Sequence, residues 1–157
     1  MSIEGNVQAS IGKGLLIFLG VARGDGEAQA DALARKIAGL RLFDDAEGRM
    51  NLSAEEVGGE YLVVSQFTLC ADLSRGKRPG FDPAMKPPES ERLYRVFCER
   101  LASRTGRPVR TGRFGASMIV SLRNDGPATF LLEAAAPESG GPPRRPSTAG
   151  ADPLGVS

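Results

Sequence analysis

Residues 14–21, GLLIFLGV, carry no polar side chain and are bounded by Gly12-Lys13-Gly14 on one side and Gly24-Asp25-Gly26 on the other. An uninterrupted apolar run between turn residues fits a strand buried on both faces, and the rest of the chain has to cover it twice. Immediately after it the period changes. Over residues 27–42, Ala30, Leu33, Ala34, Ile37 and Leu40 recur at helical spacing, with Asp25 and Glu27 near the start and Arg35, Lys36 and Arg41 later, the charge order that a helix dipole favours. A strand followed by an amphipathic helix points to a mixed α/β fold. At 157 residues and 16.6 kDa, the chain is long enough for one such core and too short for two comfortable ones.

The remaining pattern fits that reading. Residues 2–11, with Gly5-Asn6 in the middle, form a candidate hairpin, and residues 61–69 (YLVVSQFTL) have strand composition. A polar loop lies around residues 44–49. A longer one, residues 71–88, holds Arg75, Lys77, Arg78, Lys86 and four prolines, and is too punctuated for regular structure. Loops of that length inside a compact domain usually carry function. Residues 89–103 read as a second helix with Leu93, Val96, Phe97 and Leu101 on one stripe, and residues 109–114, 118–122 and 128–133 as three short strands. From Ala136 to Ser157, five prolines, four glycines and sparse apolar residues predict a disordered tail. The domain is expected to occupy residues 1–135.

Chemistry is narrowed most by a zero. There is no histidine, which removes Ser-His-Asp and Cys-His nucleophile systems. Cys70 and Cys98 are the only cysteines, too few for a structural zinc site within one chain, and the reading is no metal and no cofactor. The N-terminal residues lack a basic segment followed by an apolar run, and no stretch approaches the ~20 apolar residues of a membrane span. A cytoplasmic protein without a membrane partner is expected. With 20 Lys+Arg against 19 Asp+Glu, the net charge of +1 makes any nucleic-acid contact local rather than global, and DNA is not an expected partner.

Phosphate-loop, dinucleotide and nucleophile-elbow motifs are absent, and Gly12-Lys13-Gly14 reads as a turn before the core strand. Asp44-Asp45 and Glu55-Glu56 read as solvated surface. Two segments stand apart. In Ser65-Gln66-Phe67-Thr68, polar side chains interrupt a strand where it leaves the core; it is either a site or a strand end whose hydroxyls satisfy backbone groups. Asn124-Asp125-Gly126-Pro127-Ala128-Thr129 reads by itself as a hairpin turn, with an X-Pro bond of the kind that is sometimes cis.

Together these segments resemble the two signature motifs of the D-aminoacyl-tRNA deacylase (D-tyrosyl-tRNA(Tyr) deacylase) family. Residues 11–16 (IGKGLL), 40–43 (LRLF), 50–53 (MNLS), 76–79 (GKRP), 111–115 (TGRFG) and Met118 stand in the family's order, so the resemblance spans about residues 2–133. It implies a β-barrel-like, mostly antiparallel sheet with two main helices, and a homodimer with sites at the subunit interface. It implies hydrolysis of D-aminoacyl-tRNA, and of mischarged glycyl-tRNA. Gly126-Pro127 would be cis and would project into the partner's pocket, its carbonyl oxygens facing the substrate's α-amino group, so that an L side chain meets backbone and a D side chain does not.

The resemblance also assigns Ser65, Gln66, Phe67 and Thr68 as the catalytic segment. Backbone N–H groups there would face the ester carbonyl, and Ser65 and Gln66 would orient the terminal adenosine. Phe67 and Met118 either line the adenosine pocket or pack in the core. Thr68 has no evident base, so it is expected to position while the ribose 2′-hydroxyl and water do the chemistry. Arg75, Lys77 and Arg78, with Arg110 and Arg113, are candidates for tRNA phosphate contacts. The sequence departs from the family in lacking its usual first strand, which carries a Gln-Arg pair: Met1-Ser2-Ile3 stands where that strand has already finished. Ala128 and the tail are milder departures. The alternative reading is a non-catalytic RNA-binding dimer of the same fold, inactivated by the short N-terminus.

Overall fold

The computed structural model describes residues 1–74 and 76–134; Arg75 and the tail expected over residues 136–157 lie outside the described residues. The elements in order are β1 (Ser2–Ile3), β2 (Asn6–Val7), β3 (Gly14–Leu19), α1 (Glu27–Ala38), β4 (Arg41–Asp44), β5 (Met50–Ser53), β6 (Glu60–Ser65), α2 (Glu89–Thr105) and β7 (Val109–Thr111), with a 3-10 turn at Phe67–Cys70.

The main sheet has three strands in the order β3-β6-β7, and both pairings are parallel. This corrects the expectation of a mostly antiparallel, barrel-like sheet: among the described residues antiparallel pairing is confined to β1–β2, β4–β5 and isolated bridges, and no barrel closes. The reason lies in the connections. α1 lies in the crossover from β3 to β6 and α2 in that from β6 to β7, and a crossover of helical length returns the chain in the same direction. Central β6 alternates cleanly. Tyr61 and Val63 are wholly buried beneath the helices with Leu19, Ala34, Ile37, Phe97 and Leu101, while Leu62 and Val64 pack on the opposite face with Ala9, Met1, Ile11, Leu16, Met118 and Val120. β3 lies at one side of this sheet, so most of its apolar run is half-buried and only Leu19 is fully covered.

Boundaries shifted where glycine and the second period compete. Gly39 ends α1, and residues 41–42, read as the close of that helix, instead open the strand 41–44, which pairs with residues 50–53 just beyond the expected polar loop. Gly106, at φ +64°, closes α2 in a left-handed conformation that suits glycine. The strands expected at 118–122 and 128–133 do not form: the first keeps one bridge, Ser2 to Ile119, and the second none. Met118 and Val120 still pack under Leu62 and Val64 and Leu132 against the helical core, whereas Ile119 and Leu131 face outward, 69% and 76% exposed.

α2 is locked to the sheet by a buried contact. The Tyr94 hydroxyl donates to the Val63 carbonyl at 2.8 Å, and the Gly112 N–H reaches the same oxygen at 3.2 Å. Surface ion pairs from Arg92 to Glu27 and Arg104 to Asp31, each 2.6 Å, join the helices where solvent screens them. Tyr94→Phe is expected to lower unfolding free energy by about 1 kcal/mol, the modest end for a buried hydrogen bond because Gly112 still satisfies Val63; urea unfolding measures it.

Candidate active site

In a parallel sheet the carboxyl ends of the strands share one rim, which is where open α/β sheets present their ligands. Here that rim carries Ser65 at the end of β6, with Gly20 and Gly112 following β3 and β7. Gln66 continues the ladder for one bond, its N–H donating to the Leu19 carbonyl at 2.8 Å. At φ −142° and ψ 79° it then turns the chain out of the strand, and Phe67–Cys70 wind into a single 3-10 turn. The apolar strand pattern read through residue 69 thus stops at Ser65.

Gly20 makes this turn possible. A Cβ there would stand 3.0 Å from both Cys70 Sγ and Leu69 Cβ and 3.2 Å from the Gln66 carbonyl, so the turn rests directly on bare backbone. Gln66 Nε2 donates to Thr68 Oγ1 at 2.5 Å. Phe67 and Thr68 open the turn, so their backbone N–H groups have no acceptor within it. The result is an exposed ledge bearing two N–H donors, a hydroxyl, an amide and a ring that is 56% exposed.

The described residues of the loop 71–88 border this ledge and are held by backbone hydrogen bonds. Asp72 and Gly80 exchange N–H···O bonds of 2.7 and 2.9 Å, and Arg23 and Met85 tie it to the β3–α1 connection at 2.8 and 2.9 Å. Lys77 and Arg78 lie exposed between the paired residues. Arg110 and Arg113 are exposed on and after β7. Met118 packs on the Leu62 and Val64 face of the sheet with its sulfur beside Gly112, and Phe67 meets Phe81 edge-on with centroids 4.9 Å apart.

Gly126-Pro127 is cis, with Gly126 at φ +118°. Asn124 shapes the segment, Oδ1 accepting from the Ala128 N–H at 3.1 Å and Nδ2 donating to Thr129 Oγ1 at 3.0 Å. The segment is exposed, and among the described residues no hydrogen bond links it to Ser65–Thr68. A cavity of about 500 Å³ beside α2, lined by Tyr94, Arg95, Cys98, Thr111, Arg113 and Phe114 among others, includes none of Ser65–Thr68.

Burial disfavours the thiolate form of both cysteines. Burial pushes Cys70 above its ordinary range, helped by the charge of Asp25, and pushes Cys98 up to about 12. Among the described residues no group of three or more Cys, Asp or Glu is placed to hold a metal ion. Reasoning from sequence missed Gly20 and Phe81. Signals existed for both, since Gly20 punctuates the apolar run and Phe81 is the sole aromatic residue of the loop.

Fold and ledge together define a mixed α/β domain of the tRNA deacylase type. The chain belongs to the D-Tyr-tRNA(Tyr) deacylase family, whose profile matches residues 1–133. It is 55% identical over 133 residues to a D-aminoacyl-tRNA deacylase of Cereibacter sphaeroides, covering 85% of this chain and 91% of the relative. A protein of the same name from Symbiobacterium thermophilum is 53% identical, covering 85% and 87%. Among solved structures, one titled c-Myc DNA Unwinding Element Binding Protein superposes with a TM-score of 0.79 at 36% identity, covering 86% of this chain and 91% of that one.

Because the turn leans on Gly20, Gly20→Ala is expected to cost about 1 kcal/mol through local overpacking. Amide chemical-shift changes should concentrate at residues 66–70; changes spread evenly over the sheet would contradict this account.

Proposed function

We infer that this chain hydrolyses the ester bond joining a D-amino acid to tRNA, releasing free amino acid and tRNA and so proofreading chirality in translation. The observation that carries this reading is the family match over residues 1–133, which spans both Ser65–Thr68 and Gly126-Pro127, together with relatives at 50–55% identity named D-aminoacyl-tRNA deacylase. Those names do not favour a non-catalytic RNA-binding dimer. The DNA-binding title of one solved relative is matched here by no bulk positive field, and an exposed single ring suits an unstacked nucleotide end better than a duplex.

The chemistry suits a site without histidine. The ester is already activated, so orientation and oxyanion stabilisation supply the acceleration. In this reading the Phe67 and Thr68 N–H groups face the ester carbonyl as it gains negative charge. The oxygen of water bonds to the carbonyl carbon, the bond to the ribose oxygen breaks, and a proton from water ends on that ribose oxygen, relayed by the neighbouring 2′-hydroxyl. Thr68 accepts from the Gln66 amide, which is no base, and this supports a positioning role for its hydroxyl. Phe67 receives the terminal adenosine, Ser65 and Gln66 orient it, and Lys77 and Arg78 meet backbone phosphates. Met118 packs among Leu62 and Val64 with its sulfur against Gly112 of the rim, which suits either of its two expected roles.

The chiral filter requires a second copy. Ile119, Leu122, Phe130 and Leu131 flank Gly126-Pro127 and stand exposed, the signature of a surface that a partner covers. A homodimer would cover them and carry each cis Gly-Pro into the other protomer's ledge, where its carbonyl oxygens meet the substrate's α-amino group. Glycine, without a side chain, passes the same filter, so glycyl-tRNA is also a substrate. Its substrate places the enzyme in the cytoplasm. No helix among the described residues is long and apolar enough to cross a membrane.

D-Tyr-tRNA should be hydrolysed and L-Tyr-tRNA spared; hydrolysis of neither with tRNA binding intact would overturn the reading. Thr68→Ala should remain within about tenfold of the parent rate, against the ~10²–10³ lost when an oxyanion donor is removed, and single-turnover kinetics separate the two. Leu131→Asp is expected to leave the fold intact by thermal melt, yield monomers in analytical ultracentrifugation and abolish hydrolysis.

A further inference from the structure

Phe67 presents more than half of its ring to solvent, yet it is not left free to turn. Phe81 meets it edge-on, with ring centroids 4.9 Å apart and planes inclined at 63°. Phe81 is itself 39% exposed, so core burial alone does not account for its place. An exposed aromatic side chain exchanges rapidly between staggered rotamers. A ring held against it removes some of those states. An edge-on contact also covers at most one face of Phe67 and leaves the other open.

The restraint has a rigid backing. Gly80, next to Phe81, exchanges both N–H···O bonds with Asp72, and the Ala84 N–H donates to the Phe81 carbonyl at 3.0 Å. Beyond it, Arg23 N–H donates to the Pro83 carbonyl and Met85 N–H to the Val21 carbonyl, anchoring the loop to residues just after β3. The turn that carries Phe67 rests on Gly20, the neighbour of Val21. Both rings are therefore referenced to the same short piece of backbone, Gly20-Val21, and their separation is set by two independent attachments to it.

We propose that Phe81 is a positioning residue of the deacylation: it holds the Phe67 ring in the one orientation that offers a free face to the terminal nucleobase of the tRNA. This rests on the deacylase reading above. Stacking on an aromatic face tolerates any base, so the pair serves an end common to many substrates and contributes to binding rather than to bond breaking. Lys77 and Arg78 stand exposed in the same loop.

The test is steady-state hydrolysis of D-Tyr-tRNA by the full chain and its Phe81→Leu, Phe81→Tyr, Phe67→Ala and Phe67→Ala/Phe81→Leu variants. Phe81→Leu should raise KM about five- to tenfold, within the range for losing a base stack, with kcat within about twofold. Phe81→Tyr should restore KM. In the Phe67→Ala background Phe81→Leu should add nothing, because its effect passes through the missing ring. An unchanged KM in Phe81→Leu, or a penalty that persists in the double variant, overturns the proposal. Should Phe81→Leu melt early, Phe81→Met, unbranched and adaptable, carries the same two outcomes. A parent that leaves D-Tyr-tRNA intact overturns the deacylase reading and the role of Phe81 with it, a result distinct from an active parent with an indifferent variant.

Discussion

The structure depends on one strand being hydrogen-bonded on both edges and buried on both faces. β6 pairs with β3 from Gly14↔Glu60 to Leu19↔Ser65 and with β7 from Tyr61↔Val109 to Val63↔Thr111. Its four central residues are all buried. No backbone group in such a strand can shift without breaking ladder bonds or opening a void. Ser65 is its last residue, so the ledge starts from the most constrained point of the fold. Gln66 then uses one further ladder bond before the chain leaves the sheet. A loop-borne site would lack this reference.

Much of the architecture was legible in side-chain periodicity. α1 and α2 were visible because Leu33, Ile37, Phe97 and Leu101 recur at helical spacing and point into one core. Strand direction was less accessible. Continuous apolar runs in β3 and β6 are what parallel strands look like, but the family resemblance pointed the other way. Short strands were the least legible: Leu40 extends the apolar period of α1 past Gly39 and carries the helical reading to Leu42, and only pairing with residues 50–53 makes 41–44 a strand. Conversely, residues 118–122 and 128–133 have strand composition without a strand's partners in one chain.

At the site, sequence revealed residue types and missed their mutual placement. The polar break at Ser65-Gln66 was plain, yet nothing in one dimension says that the chain there winds into a turn lying on Gly20. Phe81 stood out only as the one aromatic residue of its loop, and its meaning comes from the contact between residues 67 and 81. Met118 was left open between pocket and core, and it packs on the Leu62 and Val64 face with its sulfur beside Gly112 of the rim. The absence of histidine was legible at once and remains the most useful chemical fact. It removes imidazole acid–base chemistry, and in the proposed reading preorganised dipoles, which need no particular protonation state, take that part.

The two faces of the sheet are covered unequally. Beneath Tyr61 and Val63 lie two full helices, whereas Leu62 and Val64 are roofed only by Ala9 and a few partly buried neighbours such as Met1 and Ile11. Drift in the ionic groups along the helices should therefore fade before it reaches the working rim. A change in that thin roof has a much shorter path, because Val64 adjoins Ser65. Sequence tolerance in this chain should accordingly be lopsided, permissive over the helical flank and strict across the opposite wall, even at positions remote from the reacting bond.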